Sequence, residues 1–101
     1  MFREEWIYIS GPIANDPGYE RKFEAAEKLL LDRGWKHVIN PAKVSEVLIG
    51  ASYEEFMNVD MYLLSKCSAI YMLNGWENSK GANREYGYAQ GKGMDIFIAK
   101  S

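Results

Sequence analysis

The chain has 101 residues, a length that fits one domain and excludes a second independent core. Hydrophobic residues at 48% and charged residues at 26% are globular averages, so nothing in the composition argues for disorder, collagen-like repeats or a coiled coil. Twelve basic against fourteen acidic side chains leave a net charge of −2 with no Lys/Arg run, so polymeric nucleic acid is not an expected partner.

The opening Met1-Phe2-Arg3-Glu4-Glu5 lacks the apolar core of a signal peptide. Trp6 to Ser10 is a β-rich run stopped by Gly11-Pro12. A helix is predicted from about Tyr19 to Arg33, with Phe23, Ala26 and Leu30 at helical spacing and Gly34 as its terminating glycine. His37-Val38-Ile39 reads as a short strand closed by Asn40-Pro41. His37 is the sole histidine, so a zinc site or a Ser-His-Asp triad lacks its usual parts and the imidazole is read as structural. Residues 42 to 52 read as a loosely organised connection, and Tyr53 to Lys66 as the next long helix. Cys67 is the only cysteine, which rules out an internal disulfide and fits a reducing, cytoplasmic setting. Ser68 to Leu73 is an apolar strand broken by Asn74-Gly75; Ser79 to Gly91 is a helix, and Asp95 to Ala99 a last strand. No apolar run approaches the ~20 residues of a membrane helix, so no membrane partner is expected.

Strands alternating with helices predict an α/β domain. The expected form is a small Rossmann-like (flavodoxin-like), mostly parallel four-stranded sheet with helices on both faces, connected right-handedly. In that architecture ligands bind beyond the carboxyl ends of the strands. Ser10-Gly11-Pro12, Asn40-Pro41 and Asn74-Gly75-Trp76 would gather there, joined by the first turns of the helices that carry Asp60 and Glu85.

Asp60 stands out by pattern. Tyr53, Met57, Asp60, Met61 and Leu64 share one helical stripe, so an acid interrupts an otherwise apolar face. Helical aspartates are usually solvated or capping, but a carboxylate drawn onto such a face needs a hydrogen-bond partner, which points to a ligand or partner contact. Ser79 has the character of an N-cap. Gly81 and Ala82 after it leave the first turn bare enough for an anion or a sugar to approach the backbone N–H groups. Glu85 shares a face with Ala82 and Ala89. A mid-helix glutamate is ordinarily exposed and inert, and physical pattern alone does not select it.

Tyr8-Ile9-Ser10-Gly11-Pro12-Ile13, Asp60 and Ser79-Lys80-Gly81-Ala82-Asn83-Arg84-Glu85-Tyr86-Gly87-Tyr88-Ala89 together resemble the nucleoside 2-deoxyribosyltransferase superfamily over nearly the whole chain. That superfamily also includes 2'-deoxynucleoside 5'-phosphate N-hydrolases, and the resemblance is to its short members. It implies an enzyme acting at the N-glycosidic bond of a small nucleoside or nucleotide, without cofactor or metal. Glu85 would be the nucleophile, Tyr8 would orient it, and Asp60 would hold the sugar or assist the departing base. Ser79 and Gly81 would receive a 5'-phosphate, with Ser10 and Gly11 also placed at the substrate and Trp76 as a candidate to stack on a base. The position of Glu85 near a helix N-terminus would help keep it ionised. Ser68 departs from the pattern, since related short members tend to carry an acid there. Homo-oligomerisation is implied as well and would stabilise so small a domain. The alternative is a catalytically silent nucleotide-binding module of the same fold. A third reading, a structural or interaction domain, predicts no stabilisation by any nucleoside.

Overall fold

The computed structural model describes residues 3–100; Met1 and Phe2, which open the segment read as lacking a signal core, lie outside them. Four strands form one parallel sheet: β1 (Arg3–Ser10), β2 (Trp35–Ile39), β3 (Ala69–Met72) and β4 (Asp95–Ile98), in the order β2-β1-β3-β4. Four helices connect them: α1 (Tyr19–Asp32), α2 (Pro41–Val47), α3 (Tyr53–Ser65) and α4 (Lys80–Lys92).

Side-chain alternation along the strands divides the core into two layers. Ile7 and Ile9 of β1 and Ala69 and Tyr71 of β3 pack with Phe23, Ala26 and Leu30 of α1 and Ala42 of α2. Tyr8, Ile70 and Met72 point the other way, towards Leu64 of α3 and Ala82 and Ala89 of α4. Both sheet faces are therefore covered, as the alternating sequence predicts. β3 is buried at every position, the pattern of a strand enclosed by helices on both faces. His37 lies opposite Trp6 in the β1–β2 register and stacks on its ring, with centroids 4.8 Å apart.

α2 corrects the reading of residues 42 to 52 as a loosely organised connection. The Asn40 side chain accepts a hydrogen bond from the Ala42 N–H, and Pro41 occupies the first helical turn. The dipeptide that closes β2 thus also opens a helix. α3 starts at a capping box: Ser52 accepts from the Glu55 N–H, and the Glu55 carboxylate accepts from the Ser52 N–H. A short 3-10 turn, Trp76–Asn78, precedes α4. Asn83 holds it in place: its Nδ2 donates to the Trp76 and Glu77 oxygens of the turn and to the Ser79 oxygen that follows it.

Connections leave β1 and β3 in opposite directions across the sheet, so a crevice opens beyond their carboxyl ends. Ser10 and Met72 end these strands side by side, and the Leu73 N–H donates to the Ser10 carbonyl at 2.8 Å. Gly11 then passes so close to Leu73 that a Cβ on it would lie 2.8 Å from the Leu73 Cβ. Among the described residues no helix is long and apolar enough to cross a membrane.

Candidate active site

A cleft of about 730 Å³ occupies that crevice. Its floor is Gly11 and Pro12, its apolar walls include Phe23, Phe56 and Met57, and the first turn of α4 closes one side with Ser79, Lys80 and Gly81. Asp60 and Glu85 enter it from α3 and α4.

Glu85 is 5% exposed. Tyr8 donates its hydroxyl to Oε2 and Ser10 donates its own to Oε1, each at 2.6 Å. Tyr8 and Ser10 are two residues apart on β1, so both reach the face covered by α4. Burial pushes the Glu85 carboxyl up to about 7; the Ser10 and Tyr8 hydrogen bonds and Arg84 oppose the rise, and Asp60 adds to it. The modest help towards ionisation expected from the helix N-terminus does not set the net direction. Glu85 lies beyond the first turn, where the dipole has faded, and desolvation outweighs what remains. The Tyr8 hydroxyl is held well above its ordinary range by burial and the nearby Glu85 carboxylate, so it stays protonated and donates to Glu85.

Asp60 is 8% exposed, and burial raises its carboxyl to about 6. Its Oδ1 is a buried oxygen that finds no hydrogen-bond donor among the described residues. A buried carboxylate oxygen without a donor is costly, and the cleft is where a ligand could supply one.

Ser79 caps α4 by accepting from the Ala82 N–H at 3.1 Å. The N–H groups of Lys80 and Gly81, the first two of the helix, remain outside the intrahelical ladder and border the cleft. Gly81 lies against α3, where an added Cβ would meet Met57 Sδ at 3.3 Å. Lys80 Nζ lies 5.1 Å above the ring of Tyr53, another residue of the cleft lining, while Arg84 pairs with Glu54 at 3.3 Å.

The model of a family described as Domain of unknown function (DUF4406) matches residues 5–98. The chain belongs to the DUF4406 family. No curated protein sequence matches it. Among solved structures, a 2-desoxiribosyltransferase from Leishmania mexicana is similar in fold, at 21% identity and a TM-score of 0.70 over 93% of this chain and 63% of that one. This DUF4406 chain thus spans under two thirds of that protein's length and shares its Rossmann-like architecture.

Within this DUF4406 chain, Tyr8, Ser10 and Glu85 form one hydrogen-bonded group, with Asp60 near enough to influence the Glu85 charge. Gly11, Ser79 and Gly81 border the same cleft. Two expected ligand contacts fall elsewhere. Ser10 is fully buried beneath Glu85 and does not line the cleft. Trp76 stacks on Tyr86 with centroids 4.5 Å apart, packs against the α4-side core and does not line the cleft either. Aromatic walls come instead from Tyr19, Phe23, Tyr53 and Phe56, which the sequence reading did not single out as ligand contacts. Phe56 lies four residues before Asp60, one helical turn, and that spacing was a legible signal.

Proposed function

We propose that the chain cleaves or transfers at the N-glycosidic bond of a 2'-deoxynucleoside or its 5'-monophosphate. The supporting observation is the Glu85 carboxylate itself, buried at a cleft wall with hydroxyl donors on both oxygens and, beside it, an Asp60 oxygen that has no partner among the described residues. A shared fold with a 2-desoxiribosyltransferase adds to this.

In the proposed reaction a Glu85 oxygen attacks C1', the C1'–N bond breaks, and a glycosyl ester forms on the enzyme. Asp60 is raised to about 6 and so retains a proton in part of the population near neutrality; that proton passes to the departing base. Water attacking C1' then releases the sugar and returns a proton to Asp60, while attack by a second base completes transfer. Ser79 and the free N–H groups of Lys80 and Gly81 suit a 5'-phosphate, and the aromatic walls suit a base.

The test is incubation with a panel of deoxynucleosides and their 5'-monophosphates, with and without an acceptor base, followed by chromatography for free or exchanged base. Glu85→Gln should abolish release in a folded protein, and mass spectrometry of the wild type should find a sugar adduct on Glu85. Ligand-dependent stabilisation with no base release from any substrate would replace this reading with a silent binding module.

A further inference from the structure

Ser10 was expected to touch substrate, yet it is 0% exposed, it is absent from the cleft lining, and its hydroxyl is used by Glu85 Oε1. The terminal torsion of a glutamate is a broad rotor, so one donor on one oxygen leaves the plane of the carboxylate free to turn. A second donor on the other oxygen removes that freedom. Tyr8 and Ser10 supply the two donors from the same strand face: the long phenol reaches Oε2 and the short serine hydroxyl meets Oε1. Both are short bonds to an ionisable acceptor, the strong class of hydrogen bond.

We propose that Ser10 is a positioning residue that acts through Glu85: with Tyr8 it locks the plane of the carboxylate and sets the edge that Glu85 presents to the cleft. Charged and titratable groups facing Glu85 are Tyr8 from β1, Asp60 from α3 and Arg84 from its own helix. Ser10 is neither charged nor titratable, so its removal changes the Glu85 hydrogen bonding without adding or removing a charge. The inference deepens the proposed function but is testable without it.

The experiment compares wild type, Ser10→Ala, Ser10→Thr and Tyr8→Phe by carbon-13 NMR titration of the glutamate carboxyls. Glu85→Gln assigns the signal, and circular dichroism verifies the fold. Loss of one donor to the ionised carboxylate should raise the Glu85 midpoint by about one pH unit in Ser10→Ala. Tyr8→Phe should shift it in the same direction, and Ser10→Thr, which keeps the hydroxyl, should return most of the shift. Where wild type releases base, Ser10→Ala should lower kcat about tenfold, the equivalent of one such unit, with KM within about twofold. An unchanged midpoint in folded Ser10→Ala, or a raised KM with unchanged kcat, would overturn the positioning role. If wild type releases no base, the proposed function fails while the NMR arm still decides the role of Ser10.

Discussion

Glu85→Gln should make the protein more stable above neutral pH, and by an amount that grows with pH. The Glu85 carboxyl is raised from 4.5 to about 7, with burial the largest cause. Between those values the folded state binds more protons than the unfolded chain, so stability is fully present below about 4.5 and is lost as pH rises through about 7. The full loss corresponds to about 3 kcal/mol. Glutamine mimics the protonated acid in shape and in carrying no charge, so the variant and wild type should be nearly equal at pH 5. At pH 8.5 the variant should avoid most of the loss, which for a chain of this size raises the melting temperature by roughly 10 °C or more. Thermal unfolding followed by circular dichroism at both pH values measures this directly. A variant no more stable than wild type at pH 8.5, or a difference that does not widen from pH 5, would refute the claim that desolvation dominates at Glu85. The result needs no substrate, so it separates the electrostatics of the site from its chemistry.

Asp60→Asn should show the same sign of stabilisation at alkaline pH, since burial raises its carboxyl to about 6, and should lower base release; paired melting and activity assays read both. With an ionised Glu85 and a protonated Asp60 required together, kcat/KM for base release should be bell-shaped with its maximum between about 6 and about 7, its limbs belonging to the coupled pair; a flat profile over that range would contradict the assignment. Gly11→Ala should cost about 1–3 kcal/mol in urea unfolding, because its Cβ would fall 2.8 Å from the Leu73 Cβ. Trp76→Ala, which removes a ring stacked on Tyr86 away from the cleft, should leave nucleoside affinity by calorimetry within about twofold while lowering the melting temperature.

Periodicity made the layered fold legible, because Ile7 and Ile9 alternate with Tyr8 on β1 while Phe23, Ala26 and Leu30 repeat at helical spacing on α1. α2 escaped because its seven residues are too few to display a period and because Asn40-Pro41 serves two purposes at once. Asp60 was readable as an acid on an apolar stripe, and the structure buries it with an unpartnered oxygen. Glu85 was not readable from physical pattern: its burial depends on a strand 75 residues away in sequence, and that pairing leaves no local trace. Ser10 carried a partial signal. A hydroxyl two residues after Tyr8, among apolar neighbours on a buried strand, must find an acceptor. The sequence shows the need but not which acceptor meets it. Trp76 was misplaced for the complementary reason, since a ring at a strand end can turn into the core as readily as into a cleft.

The missing side chain at Gly81 bears on the packing beneath the two acids. Asp60 follows Met57 by three residues on α3, and Glu85 follows Gly81 by four on α4, so each acid stands one turn above the point where the helices touch. A Cβ at residue 81 would meet Met57 Sδ at 3.3 Å, so the thioether would have to give by a few tenths of an ångström, and bulkier residues there would crowd the base on which both acids stand.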